Sequence, residues 1–129
     1  MQGGPAAAVR VLVLDDEQSI RVLCRVLLEL DGCEVVEATS VAEARQAIGG
    51  GEVDVVVVDL HLRGERSVEL IGECRMAQPR IPVVLVTGSI ELGGPGGPEA
   101  DVVLGKPFEP EELVAVVRRL AAERKLSGV

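Results

Sequence analysis

The stretch Val53 to Val58 (VDVVVV) is almost all valine and stops abruptly at Asp59. Branching at Cβ favours extended backbone over helix. Consecutive valines leave no polar side for water, so both faces of such a strand need cover, as in the middle of a parallel sheet. Other runs share this build. Val9 to Leu14 stops at Asp15-Asp16-Glu17, Ile81 to Val86 stops at Thr87, and Asp101 to Leu104 stops before Lys106-Pro107. Cys33 to Ala38 (CEVVEA) is a further short strand.

Helical spacing fills the gaps between most of these runs. From Ser19 to Leu30, the residues Ile20, Leu23, Cys24, Leu27 and Leu30 fall on one face, with Arg21, Arg25 and Glu29 on the other, and Gly32 ends the helix. Ser40 and Glu43 form a capping box for a helix at about 41–48. A loop containing Arg63-Gly64 leads to a helix at about 66–77 with Val68, Leu70, Ile71 and Cys74 inward. A last helix follows Phe108. Pro110 suits its first turn. Glu111 and Glu112 complement its positive end, and Arg118, Arg119, Arg124 and Lys125 its negative end. Leu113, Val116, Val117 and Leu120 form its inner stripe.

Strands alternating with helices specify an α/β fold, a doubly wound parallel sheet with helices on both faces. One segment breaks the rhythm. Residues 88–100 read GSIELGGPGGPEA, with Gly or Pro at seven of 13 positions. Gly costs about 1 kcal/mol and Pro about 3 in a helix interior, so the fourth helix is expected to be missing or vestigial. The organisation read from this pattern is a flexible tail at 1–8, one domain at 9–126 and a short tail at 127–129.

Composition narrows the classes of function. The chain of 129 residues carries a net charge of −8 and a single aromatic residue, Phe108. Nucleic-acid affinity comes mostly from Lys and Arg on phosphates, and base stacking needs aromatic platforms, so no direct nucleic-acid contact is expected, the more so because only a short tail follows the last helix. No apolar run is long enough to span a membrane, and Met1 to Ala8 has no signal-peptide pattern. Cys24, Cys33 and Cys74 have no metal-ligand spacing; the odd count points to buried thiols in a reducing cytoplasm.

The chemistry is expected beyond the carboxyl ends of the strands, where open α/β sheets bind ligands. Those ends carry Asp15 and Asp16, then Asp59, then Thr87, then Lys106. Clustered carboxylates repel one another and call for a hard divalent cation such as Mg²⁺. A carboxylate at the end of a rigid buried strand can be a nucleophile toward phosphorus. Phosphoryl transfer then needs positioning and neutralisation of oxygen charge, for which Lys106 and the Thr87 hydroxyl are suited.

The motifs VLVLDDEQSIR at 11–21, VVVVDLHL at 55–62, VVLVTG at 83–88 and GKPFEPEEL at 105–113 together resemble the receiver domain of two-component response regulators, of the chemotaxis-regulator type, over about residues 9–124. The resemblance implies a flavodoxin-like five-stranded sheet in the order 2-1-3-4-5. It implies Asp59 as phosphoacceptor and Mg²⁺ held by Asp16 and Asp59, by Asp15 through water, and by the backbone carbonyl of His61. It makes Thr87 the switch hydroxyl and Lys106 a phosphate contact, with a cis peptide before Pro107. The partners implied are a histidine kinase or histidine phosphotransfer protein and an output protein. The chain would be no enzyme toward other substrates, catalysing only its own phosphorylation and dephosphorylation. The first helix, with the loop after strand five, would be the kinase-docking side, with Arg21 and Arg25 steering the encounter.

Four departures from that family's pattern stand out. Arg63 replaces a usual Pro, Ser67 a frequent Gly, Val103 the usual aromatic switch residue, and the Gly/Pro segment the fourth helix. They suggest intact chemistry with an altered output, served without the usual dimer face, as in a relay or kinase feedback. His61, the sole histidine, and Ser89 would tune the lifetime of the phosphorylated state. Two other readings compete. A docking module that works without phosphorylation is one. A haloacid-dehalogenase-type phosphatase is the other, but Asp59-Leu60-His61 lacks the second Asp that such enzymes need.

Overall fold

The computed structural model describes residues 8–59, 61–62, 65–88 and 100–127, with backbone alone at 61–62, 65–66 and 125–127. In chain order the elements are β1 (Arg10–Leu14), α1 (Gln18–Leu30), β2 (Glu34–Ala38), α2 (Val41–Gly49), β3 (Val55–Asp59), β4 (His61–Leu62), β5 (Glu65–Arg66), α3 (Val68–Met76), β6 (Val83–Thr87), β7 (Val102–Gly105) and α4 (Pro110–Ser127). Five of the strands form one parallel sheet in the order β2-β1-β3-β6-β7. Counted within that sheet, this is the expected 2-1-3-4-5 order. The segment expected to lack a fourth helix lies largely outside the described residues, as does the N-terminal tail up to residue 7.

The pleat divides the valines between two aliphatic cores. Leu12, Leu14, Val56, Val58, Val83 and Leu85 point to one side and pack with Val41 and Ala44 of α2 and Leu70, Ile71 and Cys74 of α3. Val11, Val13, Val55, Val57, Val84 and Val86 point to the other and pack with Cys24 and Leu28 of α1 and Leu113 and Val117 of α4. Burial on both faces is what the uninterrupted valine run anticipated. Phe108 and Val103 sit partly buried at the margins of the two cores.

The ends of the helices follow local chemistry. Gly32 has a φ of 92°, a left-handed conformation that other L-residues resist. There the Gly32 N–H donates to Glu29 O and the Cys33 N–H to Leu28 O, both at 3.0 Å, closing α1 in a Schellman motif. At α2 the Ser40 hydroxyl accepts from the Glu43 N–H at 3.2 Å. The Glu43 carboxylate reaches back to the N–H and hydroxyl of Thr39 and also meets the Ser40 N–H, which completes the capping box. At α4 the Glu112 carboxylate accepts from the Glu109 N–H at 3.1 Å, ahead of Pro110 in the first turn.

Three details differ from the sequence reading. The inner line of α1 runs through Cys24 and Leu28, which are buried, whereas Leu23 is 44% and Leu30 81% exposed. Eight of the 13 residues of α1 are apolar, so the apolar arc is too wide for spacing to fix its centre, and packing on the sheet chooses it. Second, the loop after Asp59 contains a two-residue antiparallel ladder, His61 opposite Arg66 and Leu62 opposite Glu65. This delays the start of α3 to Val68. Third, the basic side chains late in α4 reach neighbouring loops. Arg118 pairs with Asp31, and Arg124 donates to Asp54 at 3.1 Å and to the carbonyl of Arg80 at 3.0 Å.

Two measurements test this packing. Leu28→Ala is expected to cost about 2–5 kcal/mol, as for a fully buried leucine, while Leu30→Ala stays within about 0.5 kcal/mol; urea melts followed by far-ultraviolet circular dichroism read both, and equal losses would refute the assigned helix face. The thiols are the second. Burial pushes Cys24 and Cys74 up to about 11 and raises Cys33. A thiol reagent at pH 8 is therefore expected to leave the native protein unlabelled and to titrate all three thiols in denaturant. Because the folded thiols hold their protons more tightly, their contribution to stability is complete below the ordinary thiol pKa of about 9 and is lost as the pH rises from there toward 11.

Candidate functional site

The register of the sheet assembles the site. Leu14 of β1 lies level with Val58 of β3, so Asp15 and Asp59, each one residue further on, emerge side by side. Asp59 lies level with Val86, and Thr87 with Gly105, so Lys106 follows directly at the end of the outermost strand. The Lys106 N–H donates to Thr87 O at 2.8 Å, and the Lys106–Pro107 peptide is cis. The Gln78–Pro79 peptide is also cis.

The side chains converge. Carboxylate oxygens of Asp15, Asp16 and Asp59 lie within 4.8 Å of one another. The Lys106 ammonium donates to Asp59 Oδ2 at 3.2 Å and to Asp15 Oδ2 at 3.5 Å, with Glu17 Oε1 at 3.9 Å. Thr87 is buried, at 1% exposure, and Asp15 is buried too. Asp16 and Asp59 are half-buried. Thus Asp15, Asp16, Asp59, Thr87 and Lys106 all sit at the strand ends, as the sequence spacing required. The backbone of His61 lies in β4, two residues beyond Asp59; its side chain and Ser89 lie outside the described residues.

Electrostatics follow from this crowding. Burial raises the Asp15 carboxyl above its ordinary value, with the neighbouring Asp59 charge adding to the effect and the Glu17 N–H and Lys106 pulling part of it back. Burial acts against the Lys106 ammonium, but the charges of Asp15 and Asp59, the hydrogen bond to Asp59 and the charge of Glu17 together outweigh it and hold its pKa above the usual lysine value. Lys106 is therefore a firm positive charge among carboxylates.

Residues beyond the five anticipated ones shape the site. Asp15 Oδ1 accepts from the Glu17 N–H at 2.9 Å, which turns the carboxylate into place as the chain enters α1. Arg21 donates to the carbonyl of Asp15 at 2.9 Å and to Glu37 Oε1 at 2.9 Å. Arg25 also pairs with Glu37, at 2.9 Å. The two arginines, read from the sequence as free charges for steering, are thus engaged by the edge strand β2. Arg21 in particular braces the acidic loop. Helical spacing put these arginines on the outward face; only the sheet order sets Glu37 beside them.

The donor set fits a small hard divalent cation. All three side chains offer carboxylate oxygens, and opposite ligands around octahedral Mg²⁺ stand about 4 Å apart, close to the spread of the three oxygens.

Comparison with known proteins places the arrangement. The family model described as the response regulator receiver domain matches residues 11–118. The chain is 31% identical over 129 residues to the phosphate regulon transcriptional regulatory protein PhoB of Pseudomonas aeruginosa, covering 92% of this chain and 52% of that protein. It is 29% identical to the aerobic respiration control protein ArcA of Escherichia coli, covering 85% of this chain and 47% of that one. The chain thus spans about half the length of these relatives. Since PhoB is a transcriptional regulatory protein, the expectation of no nucleic-acid contact, drawn from the charge, the lack of aromatics and the short tail of these 129 residues, is too broad.

Among solved structures, a CheY-like receiver domain protein from Methanospirillum hungatei superposes with a TM-score of 0.81 at 25% identity, covering 95% of this chain and all of that one. The response regulator TrrA from Thermotoga maritima, in complex with Mg²⁺-BeF, superposes with a TM-score of 0.78 at 30% identity, covering 87% of this chain and 98% of that one. With the family model spanning the sheet from Val11 onward and Asp15, Asp16, Asp59, Thr87 and Lys106, the chain belongs to the response regulator receiver domain family.

Proposed function

We propose that the chain takes a phosphoryl group onto Asp59 from the phosphohistidine of a histidine kinase or a histidine phosphotransfer protein, and passes the signal on through protein–protein contact, in the cytoplasm. The observation that carries this reading is the convergence on Asp59: an ammonium at 3.2 Å and two further carboxylates within 4.8 Å, at the open end of a rigid strand. The complex of TrrA with Mg²⁺-BeF lends support from a related chain.

In the reaction an Asp59 oxygen forms a bond to phosphorus as the phosphorus–nitrogen bond of the donor breaks, and the imidazole leaves with the electron pair and takes up a proton. The transition state spreads charge over the equatorial oxygens, so the work of the protein is positioning and neutralisation. Lys106, held charged by its carboxylate neighbours, meets one oxygen, and Thr87 offers a hydroxyl to another. Asp15, Asp16, Asp59 and the His61 carbonyl would hold Mg²⁺, which when bound adds positive charge against the phosphoryl group. Water then attacks the phosphorus, the bond to the Asp59 oxygen breaks, and inorganic phosphate leaves with Asp59 again a free carboxylate. The chain in this reading catalyses only its own phosphorylation and dephosphorylation.

Two features bear on partners. Leu23, Val26 and Leu30 of α1 are exposed at helical spacing, and Leu27 joins Pro110, Val114 and Ala115 of α4 in lining a shallow apolar groove. This is the side proposed for the kinase. Val103 packs against the aliphatic core where a ring is usual in the family, so a signal from Thr87 reaches the output surface without an aromatic partner.

Acetyl phosphate with Mg²⁺ is expected to label the wild type and not Asp59→Asn. Chelation of the metal should abolish labelling, and Lys106→Ala should slow it by at least about tenfold, since one lost charge-stabilising donor costs that much or more. Autophosphorylated histidine kinases of the same organism, tested in turn, should include one that transfers to the wild type alone. No labelling from acetyl phosphate or from any kinase would refute phosphoryl transfer and leave a docking module.

A further inference from the structure

We infer that Ser67 is a positioning residue for Asp59. The inference rests on the phosphoacceptor reading of Asp59. Ser67 is fully buried, at 0% exposure, and its hydroxyl donates to the backbone carbonyl of Asp59 at 2.7 Å. It stands at the N-cap of α3, where a serine ordinarily gives its side chain to the first turn. Here the side chain makes no capping hydrogen bond, although the Ser67 carbonyl does accept the first helical bond, from Ile71 at 3.0 Å. The hydroxyl is turned back toward β3 instead.

The consequence follows from peptide planarity. A carbonyl held in one direction fixes the whole peptide plane that follows Asp59. That plane starts at the Asp59 Cα, which carries the side chain, so the bond steadies the root of the carboxylate. Ser67 thus acts on the backbone of the phosphoacceptor itself, in a place where water does not compete. The bond ties the start of α3 to the end of β3 across eight positions of sequence.

The test compares Ser67→Ala, Ser67→Gly and Ser67→Thr in the full chain. Three quantities are read: labelling rate at saturating acetyl phosphate and Mg²⁺, Mg²⁺ affinity by calorimetry, and the carbon-13 shift of the Asp59 carbonyl. Ala and Gly are expected to slow labelling and weaken Mg²⁺ binding by roughly tenfold each, in the range seen when groups that orient metal ligands are removed. The carbonyl shift should move in both. Thr, which keeps the hydroxyl, should restore the rate and the affinity to within about threefold of wild type. A folded Ser67→Ala that labels and binds Mg²⁺ as the wild type does would overturn the inference, as would an unmoved carbonyl shift. If threonine is too large for the site to fold around, the alanine results decide by themselves. A wild type that binds Mg²⁺ but is not labelled would sink the phosphoacceptor reading alone, and affinity and carbonyl shift would still judge Ser67. A wild type that does neither overturns both.

Discussion

Because β1 and β3 run parallel with Leu14 level with Val58, the residues that follow them have nowhere to go but beside each other. Everything chemical in the molecule depends on that register. It is held by side chains packed on both faces, Leu12 and Val56 on one and Val13 and Val57 on the other. A slip of one residue would exchange the two cores and part Asp15 from Asp59. The aliphatic sheet is therefore what gives the acidic cluster its geometry, and stiffness in the one serves placement in the other.

That cluster is unfavourable in isolation. Three carboxylates within 4.8 Å repel, and burial makes the charge on Asp15 harder to keep. The protein offsets this with fixed donors rather than solvent. Lys106 reaches two of the carboxylates, the Glu17 N–H holds Asp15, and Arg21 braces the Asp15 carbonyl from behind. The remaining negative charge is what a divalent cation and a phosphoryl group would meet. Such concentrated, costly polarity is characteristic of functional sites.

Much of this was legible in the chain itself. The valine runs are unambiguous because β-branching and unbroken apolarity point to the same element, and each run ends at a residue with chemistry. Gly32, Ser40 and Pro110 marked helix ends correctly because their reasons are local: a left-handed φ, a side-chain acceptor, a missing N–H. Elsewhere local reasoning failed. On α1 nearly every side could have been the inner one, so Leu23 and Leu30 were misassigned to the core and Leu28 was overlooked. Arg21 and Arg25 read as solvent charges because Glu37, their partner, comes 16 and 12 residues later on a strand whose place is set by the sheet. Ser67 was visible only as a departure from a pattern; the direction of its hydroxyl was not.

By itself the sequence determined the strands, the two-sided core, the order of the sheet through the family resemblance, and the identity of the five residues at the strand ends. Apart from the sheet order, these follow from periodicity and from residue chemistry, which act over a few positions at a time. Only the tertiary structure decided which face of α1 turns inward, that Arg21 supports the acidic loop, and that Ser67 reaches back to Asp59 instead of capping α3. Those outcomes depend on which of several chemically adequate partners lies within about 3 Å once the elements have packed, and no local rule ranks such partners before packing brings them together.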